Sequence, residues 1–184
     1  MSIFDETLTM NNGLKIPEMA LGIWEIPDDQ TPKAVEEGKL RTIGAPPSFE
    51  KEDLDNLMQN SSTKPAVNQI LVYIGETPMN LIDYIQGNDI VVEAFSPIAH
   101  RAPLNDPKIK KIGNKYGVTV PQLCIRYDWK LNCVVLPKSA NPAHMKSNAE
   151  IDFVISDEDM DKLKKFTPVD YGKAGVLPVF GGKM

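Results

Sequence analysis

The stretch VVLPKSANPAHMKSN sets Lys138 and Ser139 just beyond an apolar, strand-like run and immediately before Asn141-Pro142, where a helix opens. An ammonium, a hydroxyl and the unpaired N–H groups of a helix N-terminus are together the ingredients of a phosphate site. A solvated lysine on a loop is the competing reading, and on these residues alone it is the favoured one. Other chemistry-bearing residues are sparse. Cys124 falls in a helical segment and Cys133 in a strand-like one, which reads as two small buried thiols rather than a disulfide. His100 and His144 stand isolated, so no metal-ligand cluster can be drawn. The turn after the first apolar run, LGIWEIPDDQT, has no G-x-G-x-x-G, and no P-loop occurs anywhere in the chain.

The elements that must carry these residues are legible from local chemistry. Asn12-Gly13, between TLTM and LKIPEM, is a strong hairpin signal. After it, MALGIW, LRTIG, AVNQILV, IVVEAF and CVVLP read as strands, nearly continuous in apolar residues and hence buried on both faces as in a parallel sheet. Helical spacing fills the intervals. Proline lacks the N–H that the first turn of a helix leaves unpaired, and Pro32, Pro78, Pro107, Pro121 and Pro142 each stand where a helix opens. In SDEDMDKLKKF, Ser156 is the N-cap, with Asp159 three residues on, acids in the first turn and lysines in the last. Strand and helix in alternation leave two architectures open, a (β/α) barrel or an open doubly wound sheet.

With 184 residues, 42% hydrophobic and 24% charged, the chain is expected to be a soluble globular protein with a single core. A net charge of -5 argues against nucleic acid or an anionic membrane as partner, while leaving room for a local phosphate site. No apolar run reaches the roughly 18 residues of a membrane span, and MSIFDETLTMNN lacks the basic and apolar blocks of a signal peptide. The cytoplasm is the expected location.

Taken in order, LTMNNGLKIPEMALGIWEIP, KLRTIG, KPAVNQI, IVVEAFSPI, YGVTVPQLCIRYDW and VVLPKSANPAHMKSN resemble the aldo-keto reductases in sequence and spacing over almost the whole chain. The resemblance implies a TIM barrel plugged at its bottom by an N-terminal hairpin. It implies NADP(H) bound in extended form across the C-terminal strand ends, and aldehydes or ketones, small carbonyl substrates, reduced by hydride transfer.

The resemblance also implies a gap. In the family, the first strand and helix lead into a second, third and fourth strand before the one that GKLRTIG resembles, and that middle has no counterpart here. A TIM barrel takes about 250 residues. The chain therefore reads as the first unit joined at Glu37-Gly38-Lys39 to the fifth through eighth. The expectation is an α/β fold, a truncated TIM-barrel-like parallel sheet of about five strands with flanking helices and an N-terminal β-hairpin. It forms one domain, with residues 1–38 as hairpin, first strand and helix, and 39–184 as the later units and tail. Bare sheet edges would favour a homo-oligomer.

Carried over residue by residue, the cofactor half is the better kept. Gln69 matches the position that hydrogen-bonds the nicotinamide amide, and Phe95 the aromatic stacked on the ring. A strand-end glutamine bonded to backbone and a core phenylalanine are the respective alternatives. Ser96 and Ile98 fall in the loop that touches the pyrophosphate, Lys138 and Ser139 match the 2′-phosphate site, and Asn148 matches the adenine contact. His144 stands where the family commonly has an arginine, and a neutral imidazole cannot supply a permanent bidentate charge. In GAPPSF, Gly44 to Phe49, prolines replace the serine-asparagine pair that grips the carboxamide. Trp24 matches an aromatic of the substrate pocket, or is a core tryptophan.

Carbonyl reduction needs a general acid tuned toward neutrality. The family supplies an aspartate and a tyrosine after the second strand, a lysine after the third and a histidine after the fourth, and none has a counterpart here. Tyr84, Tyr116 and Tyr127 fall on helical segments, Tyr73 after a strand and Tyr171 in the tail. No catalytic residue is assigned. The expectation is an NADP(H)-dependent reductase by descent, inactive or very weak, with cofactor affinity weakened or lost. The alternative is a non-catalytic dinucleotide-binding protein or structural barrel fragment, natural or engineered.

Overall fold

The computed structural model describes residues 7–17, 44–45, 49–60 and 64–167. Trp24, the MALGIW strand, the first helix, the join at Glu37-Gly38-Lys39, Tyr171 and the tail lie outside the described residues. Four strands, β3 (Gly44–Ala45), β4 (Val67–Leu71), β5 (Val91–Phe95) and β6 (Val134–Leu136), form one parallel sheet in the order β3-β4-β5-β6. Consecutive parallel strands need helical crossovers. Here α1 (Lys51–Asn60) leads from β3 to β4 and α2 (Met79–Gly87) from β4 to β5. A 3-10 helix (Ala99–Asn105), α3 (Pro107–Lys115) and α4 (Val120–Lys130) connect β5 to β6, and α5 (Pro142–Ala149) and α6 (Asp157–Lys164) follow. None of the described helices is long and apolar enough to cross a membrane.

The caps form as the local chemistry dictates. Asp106 accepts from the backbone N–H groups of Lys108 and Ile109 at 2.7 and 3.2 Å, with Pro107 in the first helical position. Thr119 and Gln122 close a reciprocal capping box at the start of α4, so Val120 is the first helical residue and Pro121 the second rather than the first. Asn141 caps α5, and Ser156 accepts from the Asp159 N–H at 3.3 Å to cap α6. Pro78 departs from expectation: with ψ at 71° it is the N-cap of α2 rather than its first helical residue. The side chain of Thr77, which precedes it, accepts no bond from the first turn of α2; its hydroxyl donates to the Tyr73 carbonyl at 3.2 Å and bonds Tyr127 Oη at 2.8 Å.

Strand residues alternate between two faces, and the two faces of this sheet meet different partners. Ile70, Val92 and Ala94 look toward the helices and join Leu54, Ile82, Ile85, Leu123 and Tyr127 in the main core. Val67, Val91 and Val134 occupy the opposite, inner face near the strand starts, where they pack against Met10, Ala66 and the partly buried Leu8, Leu14 and Ile16. These last belong to the N-terminal hairpin of β1 (Thr7–Thr9) and β2 (Lys15–Pro17). Its loop is closed by Met10 N–H to the Leu14 carbonyl at 2.8 Å and Gly13 N–H to the Met10 carbonyl at 2.9 Å. Gly13 takes φ +79°, the left-handed residue that a three-residue hairpin loop requires. The Asn11 side chain donates to the Pro65 carbonyl at 2.8 Å, so the hairpin is fastened at the N-terminal edge of the sheet, as the resemblance implied.

Cys124 and Cys133 are both free and buried. Cys133 directly precedes β6 rather than lying within it.

Candidate functional site

Register in the sheet decides which side chains can meet. Leu71, Phe95 and Leu136 are in register across β4, β5 and β6, all on the inner face and all half-buried. One level deeper on that face Gln69 stands opposite Glu93. Gln69 Nε2 donates to Glu93 Oε2 at 3.2 Å. Burial pushes the Glu93 carboxyl above its usual range, and the bond from Gln69 opposes that rise without cancelling it. The inner face thus carries a polar pair surmounted by an apolar row, with the hairpin closing the far, N-terminal end.

Beyond the apolar row the chain leaves each strand in a loop. After β5, Ser96 adopts φ +56°, and Ala99 and Arg101 adopt +44° and +75°. Left-handed backbone costs a residue with a Cβ about 1–2 kcal/mol. The turns are closed by Ala99 N–H to the Ser96 carbonyl and Arg101 N–H to the Ile98 carbonyl, both at 2.8 Å. Ile98 is the N-cap of the 3-10 helix. After β6, Lys138 is exposed. Ser139 Oγ accepts from the Asn141 N–H at 3.1 Å, and Asn141 Oδ1 in turn accepts from the Ala143 N–H at 2.9 Å.

The sequence-derived residues therefore fall into two groups. Phe95 ends its strand, Ser96 and Lys138 lie just beyond the C-terminal ends of β5 and β6, and Gln69 lies at the middle of β4. His144 and Asn148 lie on α5, four residues apart and so on one face of it, His144 exposed and Asn148 7% exposed. Fit to a nicotinamide dinucleotide differs between the ends of the site. At the end assigned to the ring, the Gln69–Glu93 pair lies one level below Phe95 on the same face of the sheet. At the phosphate end, Asn141 already takes one N–H of the α5 start and Ser139 is bonded to Asn141, and Lys138 adds a positive charge just beyond β6. Residues 46–48 of GAPPSF lie outside the described residues. Among the described residues, no group of three His, Cys, Asp or Glu side chains could hold a metal.

Glu93 was not singled out from sequence. The signal was present: it is the one charged residue in IVVEAF, and period-two alternation puts it on the Phe95 face. A groove of about 370 Å³ opens elsewhere, at the N-terminal edge between the hairpin and residues Gln86, Asp89 and Asn132. It lies at the opposite end of the strands from Phe95 and Lys138.

The tyrosine hydroxyls on the helices are engaged in the helical layer. Tyr127 bonds Thr77, Tyr84 donates to Asp55, and Tyr116 donates to Asp159 at 2.6 Å. Burial raises the Tyr127 hydroxyl further above its usual value.

Residues 101–168 match the family model of the Aldo/keto reductase family. The chain is 35% identical over 132 residues to the glyoxal reductase of Bacillus subtilis, covering 71% of this chain and 48% of that protein. It is similar to the crystal structure of a Bombyx mori aldo-keto reductase in complex with NADP, with TM-score 0.68 and 27% identity over 74% of this chain and 48% of that one. An aldo-keto reductase from a Medee basin deep-sea metagenome library gives TM-score 0.68 and 31% identity over 77% of this chain and 56% of that one. The chain spans about half the length of the curated relatives it matches. On the family-model match and these relatives, the chain belongs to the aldo-keto reductase family.

Proposed function

We propose that the chain binds NADP(H) along the C-terminal edge of β4, β5 and β6, and that its activity by descent is reduction of a small carbonyl compound at a very low rate. The observation that carries this reading is the placement of Gln69 and Phe95 on one face of adjacent parallel strands, with Ser96 and Lys138 in the loops that follow β5 and β6. Gln69 would hold the carboxamide, Phe95 the ring face, the Ser96–Ile98 loop the pyrophosphate, and Lys138 with Ser139 the 2′-phosphate. When bound, the cofactor supplies a hydride. The protein must supply a proton to the carbonyl oxygen, and Tyr84, Tyr116 and Tyr127 are held away from the inner face by their own bonds. Those engagements favour a second reading, a dinucleotide-binding protein without turnover. His144 in place of an arginine weakens the phosphate end in either case.

The test is calorimetric titration with NADPH of the natural chain and of Lys138→Ala, with NADPH oxidation followed separately in the presence of glyoxal. Saturable binding that Lys138→Ala weakens about tenfold is expected, with oxidation barely above the uncatalysed rate. No binding at millimolar NADPH would overturn the cofactor assignment, and rapid oxidation would overturn the low-rate assignment.

A further inference from the structure

We propose that Glu93 is a binding residue for the cofactor, accepting an N–H of the nicotinamide carboxamide while Gln69 donates to its carbonyl oxygen, so that the two side chains read a primary amide across adjacent strands. The inference rests on the dinucleotide reading above and adds to it a residue and a specificity.

Three observations carry it. Glu93 and Gln69 are register partners, and their side chains already meet at 3.2 Å. Both are half-buried on the inner face, where an unpaired carboxylate is costly and a donor from a ligand is correspondingly favourable. Directly above them Leu71, Phe95 and Leu136 make an apolar row wide enough in register to flank a ring. A primary carboxamide presents one acceptor and two donors. The Gln69 amide N–H2 is a donor, and an ionised Glu93 accepts only, with capacity beyond the single bond from Gln69. With the amide held at the polar pair, Phe95, two residues on along the same face, would be the side chain available to the attached ring. Such a site rejects an analogue lacking the amide N–H, because the carboxylate then stays buried with nothing to replace the lost donor.

Three ligands separate the possibilities by calorimetry: NADP⁺, its 3-acetylpyridine analogue, in which a methyl replaces the amide nitrogen, and 2′,5′-ADP, which has no nicotinamide. The natural chain is expected to bind the acetylpyridine form about tenfold more weakly than NADP⁺. Glu93→Leu should bring the two within about twofold while leaving 2′,5′-ADP affinity unchanged. Glu93→Gln, which keeps the shape and a neutral acceptor, should retain part of the discrimination, and serves if the leucine variant does not fold. Equal binding of the two nicotinamide forms by the natural chain, or discrimination that survives in Glu93→Leu, overturns the inference and leaves the dinucleotide reading standing. Failure of NADP⁺ and 2′,5′-ADP alike to bind overturns both.

Discussion

Gln69 and Glu93 face each other from adjacent parallel strands, joined by a hydrogen bond of 3.2 Å on the inner face of the sheet. The pair places an ionisable group where the surroundings disfavour its charge. Its protonation is therefore tied to folding.

Burial holds the Glu93 carboxyl above its ordinary value of 4.5. The native state thus binds more protons at this site than the unfolded state from about pH 4.5 upward, so the contribution of Glu93 to stability is fully present below that pH and is lost as pH rises through the raised value. Glu93→Gln removes this decline. Urea denaturation of both proteins at about pH 4 and about pH 7 should show the natural chain losing ground to the variant as pH rises.

Asp128 is the stronger case, on the helix side of the sheet. It is 0% exposed, and neither carboxylate oxygen has a hydrogen-bond partner. Burial pushes its carboxyl well above the usual range. Replacing an unpartnered buried acid by an apolar residue removes a desolvation cost, so Asp128→Leu should stabilise by about 1–3 kcal/mol at neutral pH. The gain should shrink as pH falls toward the ordinary carboxylate range, which thermal unfolding across pH would reveal.

Asp159 behaves with the opposite sign. Hydrogen bonds from Lys115 Nζ at 2.6 Å, Tyr116 Oη at 2.6 Å and Lys162 Nζ at 3.0 Å hold its carboxyl well below the usual range. Its contribution is present above about pH 4 and is lost as pH falls through the depressed value. Asp159→Asn should lower stability at neutral pH and flatten the acid limb of a denaturation profile, by either circular dichroism or intrinsic fluorescence.

The hairpin is expected to act as a plug with measurable strength. Met10 is 6% exposed and packs on Val67, Val91 and Val134, the first residues of β4, β5 and β6. Met10→Ala should cost about 2–5 kcal/mol. Asn11→Ala, which removes only the bond to the Pro65 carbonyl, should cost about 1 kcal/mol. Equilibrium urea denaturation measures both.

Much of this architecture was legible because its signals are local. Asp106, Thr119, Asn141 and Ser156 announce helix starts through bonds to backbone groups two or three residues away. The apolar runs of β4, β5 and β6 announce buried strands through composition alone. Pro78 misled by one position, and the hydroxyl of Thr77, which precedes it, bonds Tyr127, fifty residues later in the chain, rather than the first turn of α2. The phosphate-binding reading of Lys138 and Ser139 was likewise local, and it did not anticipate that Asn141 would absorb both the serine hydroxyl and the first free N–H of α5.

By itself the sequence determined the element types, the caps, the order of strands along the chain and the family, since each rests on residue chemistry within a few positions or on motifs in linear order. Only the tertiary structure decided which side chains face one another. Gln69 and Glu93 are separated by 24 residues and one helix, and nothing in either segment alone says that parallel pairing puts them opposite. Parallel register depends on how α2 packs and how long its connections are, and a shift of one residue would have turned Glu93 into the helical core and Ala94 onto the inner face.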